Sequence, residues 1–396
     1  MREIAASAFA AMWPIPEGLS FGQQTTDRIQ KEGMYYRRLG RTNLMISEIS
    51  LGGSPLPDWD LFLRAIERGV NYIDTSCTYS NGNSERQIGR LFKEIGRDKV
   101  YVCTKFHIRG NPSEKSIIDS VNGSLGRLGT DTIDVLSIHG AEKEEHLTDE
   151  RVLGAFEKLK KEGKYRFCGL SCHSNHHRVI SRAVECGHYD MVQLGYNVFD
   201  IEDTEKDIKT YDDYLEESGI RGLIARAKAN DVGVVAMKTL KVGGKRQNLE
   251  KYKTGTTSIF QAMLKWVLEN RNVTAVVTEM LNYDQLNEDL GAIGASLSAQ
   301  ERKTLYRYVA ENSKDYCHLC GVCQMKCPAQ IKTTAILRLL AYHESYGKTD
   351  LAKEMYSHFR PEQTALCCQN CGNCEKACRY GVSVSKRILE AHQILR

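Results

Sequence analysis

Two cysteine runs near the C-terminus, Cys317-x2-Cys320-x2-Cys323-x3-Cys327-Pro328 and Cys368-x2-Cys371-x2-Cys374-x3-Cys378, repeat one spacing. Thiolates at i, i+3 and i+6 can turn around one face of a cuboidal iron-sulfur cluster, while the fourth cysteine, followed by a tight bend, reaches the neighbouring cluster. Pro328 supplies that bend in the first run, and Arg379-Tyr380-Gly381 stands in its place in the second. The crossing pattern assigns Cys317, Cys320, Cys323 and Cys378 to one four-iron, four-sulfur cluster, and Cys368, Cys371, Cys374 and Cys327 to the other. Structural zinc also uses paired Cys-x2-Cys knuckles, but it needs four ligands and leaves the repeated third and fourth cysteines unexplained. Gly321 and Gly372 follow the second cysteine of each run and give the backbone room beside a cluster, whereas Cys367 reads as a bystander.

The other cysteines locate a module boundary. Cys77, Cys103, Cys168, Cys172 and Cys186 are scattered without paired spacing, and all the rest lie between Cys317 and Cys378. A chain of 396 residues then divides most simply into one large barrel of about 250 residues and an appendage beginning near residue 300. Lys and Arg total 54 against 50 Asp and Glu with no extended basic block, which argues against nucleic acid as a partner. No apolar stretch approaches the ~20 residues of a membrane span, and a cytoplasmic location is expected. Residues 1–34 read as an N-terminal extension; Ile4 to Trp13 has the look of an export signal that Pro14 and Pro16 cut short, the minority reading.

From Ile46 to Ile293, short β-branched runs alternate with amphipathic helical ones. Expected strands are Ile46–Leu51, Tyr72–Ser76, Val100–Phe106, Ile133–His139, Phe167–Ser171, Val192–Tyr196, Val234–Met237 and Ala275–Val277. Helical patterns lie between them, one opening with a Ser84-x-x-Gln87 capping box, and Gly69, Gly129, Gly163, Gly187 and Gly233 fall just past helix ends. Eight such units predict an α/β fold, a (β/α)8 TIM barrel over residues 35–300, with a C-terminal helical ferredoxin-like iron-sulfur domain over 301–396. An open doubly wound sheet is disfavoured because no G-x-G-x-x-G follows the first strand. Ser298 and Glu301 cap a helix leading into the first cysteine run, and Ile331–Phe359 forms a helical insertion between the runs.

Polar residues at the carboxyl ends of barrel strands are the catalytic candidates: Asp74 and Tyr79 around the second strand, Lys105 ending the third, and His139 ending the fourth. Singly each has a structural explanation, but together they meet at one mouth. This set resembles the catalytic tetrad of the aldo-keto reductases. The likeness extends to Tyr36-Arg37-Arg38-Leu39-Gly40, Ile73-Asp74-Thr75-Ser76, Ser84-Glu85-x-x-Ile88-Gly89, Thr104-Lys105 and Ile138-His139, and the cysteine-rich tail is similar to a subgroup with a C-terminal ferredoxin-type domain. The resemblance implies that Tyr79 delivers a proton, Lys105 lowers its pKa, Asp74 holds Lys105, and His139 orients a carbonyl. Histidine rather than glutamate at 139 points to carbonyl substrates rather than enones.

The same resemblance implies a nicotinamide site. Ser171 and Gln193 would face the carboxamide, with Cys172 in place of the usual asparagine, and Met237 would stand where an aromatic ring commonly stacks. Lys238, Leu240, Lys245 and Arg246 lie in the loop offered to the pyrophosphate, and Gln285 and Asp289 match an adenine-binding pattern with aspartate for asparagine. The family cofactor is NADP(H); Glu279, an acidic residue near the expected 2′-phosphate, keeps NADH in play.

The two halves differ in electron count, since nicotinamide delivers a hydride and each cluster passes one electron. The expected function is an NAD(P)H-dependent oxidoreductase reducing a small-molecule aldehyde or ketone, with two 4Fe-4S clusters as an auxiliary electron-transfer domain open to a redox partner protein. The alternative is an iron-sulfur electron-transfer protein that uses the barrel as a flavin-binding or partner-docking scaffold.

Overall fold

The computed structural model describes residues 27–54, 57–108, 110, 112–202, 219–241 and 249–396. The first described elements are β1 (Arg28–Lys31), β2 (Met34–Arg38) and β3 (Met45–Ser47), a small antiparallel sheet. Eight parallel strands follow and close into a barrel: β4 (Ile49–Gly52), β5 (Tyr72–Asp74), β6 (Tyr101–His107), β7 (Ile133–His139), β8 (Tyr165–Cys172), β9 (Met191–Gly195), β10 (Gly233–Met237) and β11 (Ala275–Thr278). Val276 of β11 pairs with Ile49 of β4 to complete the ring.

The stretch expected as one strand, Ile46–Leu51, is two, with Glu48 at the corner between β3 and β4. Its carboxylate is buried and accepts from Arg37 Nε at 2.7 Å and Arg28 Nε at 2.6 Å. Arg37, also buried, donates onward to the carbonyls of Leu268 and Val273, each at 2.6 Å. One carboxylate and one guanidinium thus tie the opening hairpin to the segment that leads into the last barrel strand.

Strand residues alternate between faces, so every second residue points into the barrel. Tyr72, Cys103, Val135, Met191, Val235 and Ala275 form the lower interior layer with Leu39, Leu44 and Ile46 of the hairpin, which plugs the amino end. Two residues further along the same strands come Asp74, Lys105, Ser137, Gln193 and Met237. Intervening residues such as Ile73, Val102, Leu136, Val192 and Val234 pack outward into the large core shared with the helices. The interior therefore changes from apolar to polar over one alternation step, toward the carboxyl ends.

Two local expectations change. Ser84 does not cap its helix, Asn83–Ile95; the N-cap is Gly82 in the left-handed region, and the buried Ser84 hydroxyl instead meets Thr75 Oγ1 at 2.5 Å. Gly233 is not a helix cap but the first residue of β10, where a Cβ would lie 2.5 Å from Leu39 Cδ1, and the left-handed residue is Asp231. Gly69, Gly129, Gly163 and Gly187 do have positive φ.

Helix Ala299–Asn312 has the expected Ser298–Glu301 capping box, and it packs through Leu305, Tyr308 and Val309 into the barrel's own core. A separate core, including Ile336, Leu340, Tyr356, Val384, Ile388 and Leu395, holds the segment carrying the cysteine runs. Between the runs stand helices Thr333–Tyr346 and Thr349–Ser357. The first lies across the barrel mouth. Arg338 pairs with Glu142 beyond β7 at 3.3 Å, and Lys348 just after the helix holds both oxygens of Glu279 beyond β11 at 2.7 Å, with Ser54 O beyond β4 at 3.3 Å. No helix among the described residues is long and apolar enough to cross a membrane.

Replacing Arg37 with Met strands the buried Glu48 carboxylate and removes the donors to the Leu268 and Val273 carbonyls. The expected loss is about 3–5 kcal/mol of unfolding free energy, read from denaturant melts of the R37M variant; a loss below about 1 kcal/mol contradicts the tethering role.

Candidate active site

The carboxyl end of β5 presents Asp74 to Lys105 of β6. The ammonium sits 2.7 Å from each Asp74 oxygen and 2.7 Å from Thr75 O. An ammonium has three hydrogens, and these three acceptors use them all. Burial is the largest single influence and works against the cation, but Asp74, Tyr79 and Cys103 together outweigh it and keep the Lys105 pKa raised. Lys105 is therefore a permanent cation with no hydrogen to spare, and it acts on its neighbours through charge alone.

Tyr79 lies in the turn after β5, with Lys105 Nζ 5.6 Å from its ring centroid and the His139 ring meeting it edge-on at 5.5 Å. The Tyr79 pKa is raised rather than lowered: burial dominates, Lys105 opposes it, and Asp74, Tyr342 and Glu279 add to the rise. The expectation of a net lowering by Lys105 omitted this burial and the helix above. A phenol held protonated at neutral pH still suits a proton donor, because the nearby cation stabilises the tyrosinate left after transfer.

His139 ends β7, with Nδ1 2.9 Å from Ser76 Oγ and its ring stacked on His107 at 4.3 Å. When Nδ1 accepts from Ser76, the hydrogen resides on Nε2, the tautomer that donates to a carbonyl. His107 is itself 2.9 Å from Thr78 Oγ1. The structure thus brings Asp74, Tyr79, Lys105 and His139 together, and adds Ser76 and His107 as their supports.

Ser171 and Gln193 are register partners on β8 and β9. The Ser171 hydroxyl accepts from Gly140 N at 3.0 Å, and Gln193 is buried with its Oε1 lacking a hydrogen-bond partner among the described residues. Cys172 is buried and donates to Ser174 O at 3.0 Å, so it serves the turn. Met237 and Lys238 share a cavity with His173, His176, Lys241, Tyr316 and His318, among others. Lys238 Nζ is buried without a hydrogen-bond partner among the described residues, and burial, then Arg338 and Lys241, push its pKa well below the usual amine value. Leu240 packs against the barrel core, while Lys245 and Arg246 lie outside the described residues, as do residues 1–26 of the segment expected as an extension; its last residues instead form β1 and the start of β2.

The adenine-end residues differ in exposure. Gln285 Oε1 accepts from Leu281 N at 2.8 Å, a turn contact, whereas Asp289 on helix Tyr283–Leu290 is 1% exposed. Glu279 is held by Lys348 of the appended segment.

The eight run cysteines line two cavities, four to each. Cys317, Cys320, Cys323 and Cys378 border one, and Cys327, Cys368, Cys371 and Cys374 border the other. The fourth cysteine of each run has crossed to the other's cavity. Among the described residues no group of three or more His, Cys, Asp or Glu side chains is disposed to hold a single ion. A tetrahedral zinc needs four sulfurs about 2.3 Å from one point, while a cuboidal cluster takes one thiolate at each of four separated irons, so thiols spread around a cavity suit the cluster. Cys367 borders neither cavity and is exposed. His318 forms part of the wall of both the first cysteine cavity and the barrel-mouth cavity, stacked on Tyr380 at 3.6 Å.

Reasoning from sequence missed Arg338 and Tyr342, which reach the mouth from the insertion. Their only signal was an i, i+4 pair on a helix whose exposed face had no assigned neighbour.

Residues 59–309 match the model of the aldo/keto reductase family. The chain belongs to that family. It is 28% identical over 310 residues to the uncharacterized oxidoreductase YqkF of Bacillus subtilis, covering 70% of this chain and 98% of that one. Against the NADH-specific methylglyoxal reductase of Escherichia coli it is 27% identical over 324 residues, covering 69% and 97%. Among solved structures, the thermostable aldo-keto reductase Tm1743, in complex with the inhibitor epalrestat, aligns with a TM-score of 0.55 at 26% identity, over 69% of this chain and 99% of that one. The chain is thus an oxidoreductase of aldo-keto reductase type with an eight-stranded parallel barrel.

Burial pushes the Asp289 carboxyl up to about 7, a rise that Thr278 opposes and Glu288 supports. With its folded pKa raised, its contribution to stability is full below the unfolded value near 4 and is lost as pH rises through about 7. Asp289→Asn removes that loss. Compared with wild type, the variant gains about 2–3 kcal/mol in unfolding free energy on going from pH 5 to pH 8; parallel pH profiles contradict the buried-carboxyl assignment.

Proposed function

We propose that this chain is a nicotinamide-dependent carbonyl reductase whose appended segment carries two 4Fe-4S clusters. The observation that carries the reading is the meeting of Tyr79 and His139 beside the saturated Lys105–Asp74 pair at the barrel mouth. A scaffold has no physical need for a buried cation aimed at a phenol.

Bound dinucleotide would supply the hydride. Gln193, with its orphaned Oε1, and Ser171 would hold the carboxamide end, and Lys238 offers a charge to the diphosphate. Family resemblance favours NADP(H). Glu279 and the naming of the Escherichia coli relative as NADH-specific favour NADH, and the ratio of kcat/KM for the two donors decides between them.

The chain's own contribution is to move one proton and hold one charge. His139 donates to the carbonyl oxygen and fixes the face presented to hydride. As negative charge grows on that oxygen, Tyr79 gives up its proton, and the tyrosinate is stabilised by the Lys105 charge 5.6 Å from the ring. Asp74 and Thr75 O keep Lys105 in place. The helix across the mouth excludes water, which strengthens each of these charge interactions.

The eight cysteines would hold the clusters and so give one-electron capacity beside this site. A second reading, an electron-transfer protein with the barrel as scaffold, draws support from the covered mouth and from Glu279 being occupied by Lys348.

Tyr79→Phe is expected to lower aldehyde turnover by about 10²- to 10⁴-fold while the visible cluster absorbance stays unchanged. Equal rates in both proteins, or none in either, sink Tyr79 as the acid. Anaerobically purified protein should hold about eight irons per chain, and Cys374→Ser should lower that toward about four. Iron below about one per chain in the parent protein overturns the cluster assignment.

A further inference from the structure

The helix Thr333–Tyr346 comes from beyond the matched family segment, and proton transfer does not require it. Yet it forms the ceiling over Tyr79. Arg338 and Tyr342 are four residues apart and so share a face, about 6 Å apart along the axis. Tyr342 lies 5.8 Å by ring centroid from Lys238 Nζ and bears electrostatically on Tyr79. Arg338 is 8% exposed; Nη1 makes a long contact with Glu142 Oε1 at 3.3 Å, and Nε has no hydrogen-bond partner among the described residues.

Cations accumulate at this spot. Lys238 Nζ is buried with no hydrogen-bond partner among the described residues, and Arg338 and Lys241 both act on it. His173, with its ring 6.0 Å from that of His139, feels burial first and then Lys238 and Arg338, and its pKa falls well below the usual value. His176 is buried in the same cavity, with no hydrogen-bond partner for Nε2 among the described residues. Among the described residues the nearby carboxylates are committed: Glu142 to Arg338, Asp200 to His318 at 3.5 Å, and Glu279 to Lys348. Buried cationic donors without partners are costly until an anion arrives.

We propose that the ceiling helix makes the mouth selective for carbonyl substrates that also carry a carboxylate. Arg338 receives the carboxylate, with the Lys238 charge beside it, and the carbonyl oxygen lies between Tyr79 and His139. A guanidinium suits this role, because its planar fork matches a carboxylate. This assignment rests on the carbonyl-reductase reading and gives its substrate class as a short-chain oxo acid. The dinucleotide diphosphate is the other anion of the right chemistry, and Lys238 adjoins the loop expected to meet it. Arg338 separates the two sources, because it lies in the appended segment rather than in that loop.

The test uses the full-length protein and two variants, Arg338→Gln and Glu142→Gln. Steady-state KM is measured for succinate semialdehyde, for butanal as its uncharged counterpart, and for the nicotinamide donor. Arg338→Gln should raise the KM ratio of succinate semialdehyde to butanal about ten- to a hundredfold, the scale of one charge-assisted hydrogen bond. Glu142→Gln breaks the same ion pair but removes a competing carboxylate, so it should lower that ratio or leave it alone.

If Arg338 only clasps the helix, both variants shift all substrates together, and the proposal fails. If Arg338→Gln raises the donor KM and spares the aldehyde ratio, the cation serves the dinucleotide, and the proposal fails. Calorimetric titration with succinate, without nicotinamide, separates this from the broader reading. Succinate bound by the parent and by Tyr79→Phe but lost in Arg338→Gln supports the anion site even where no aldehyde turns over, whereas absence of binding in the parent overturns it.

Discussion

The buried pairing of Asp74 with Lys105 is the constraint around which the catalytic end is built. Two charges removed from water at adjacent strand ends are tolerable only when their hydrogen-bonding capacity is met, and here both carboxylate oxygens and the Thr75 carbonyl surround the ammonium at 2.7 Å. That arrangement needs β5 and β6 in one register, with Asp74 opposite Cys103, so that Lys105 reaches one step beyond its neighbour. Register in turn depends on closure of the barrel and on the hairpin plug at its other end. Because the ammonium is saturated, it offers a fixed positive field rather than a hydrogen bond. Tyr79 and His139 are arranged in that field.

The cysteine-rich segment is more than an attachment. The fourth cysteine of each run lines the other run's cavity, and the helical insertion between the runs lies as a bar over the mouth, fastened by Glu142–Arg338 on one side and Glu279–Lys348 on the other. One consequence is electrostatic: Tyr342 and Glu279 act on Tyr79 in the same direction as burial, and the phenol keeps its proton. Another is proximity, since His318 walls both the first cysteine cavity and the mouth. The hydride site and the proposed one-electron centre are neighbours, although their electron counts differ.

Most of the barrel was legible because parallel strands buried on both faces leave compact β-branched runs, and because catalytic polar residues fall at their carboxyl ends. The alternation Tyr72–Asp74, Cys103–Lys105 and Met191–Gln193 encodes the change from plug to site in the sequence itself. Glu48 was not legible as a corner, since a buried carboxylate depends on Arg37, whose other acceptors are more than two hundred residues away. Ser84 fitted a cap pattern locally but was claimed by Thr75, a tertiary partner. The direction of the Tyr79 shift was missed for the same reason: the Lys105 charge was visible in sequence, while the covering helix was not. Arg338 and Tyr342 gave only a helical spacing, and no local rule indicates which surface such a face will meet.

In the proposed chemistry this mouth transfers hydride to a carbonyl while the neighbouring cysteine centre stands apart from that bond-making step. The most direct measurement is the isotopic composition of the alcohol formed from an aldehyde when the nicotinamide donor carries deuterium at its transferring position. The account predicts one deuterium per product molecule on the carbinol carbon, with the hydroxyl proton drawn from solvent. Product formed without that deuterium, or coupled products from one-electron reduction, would contradict it.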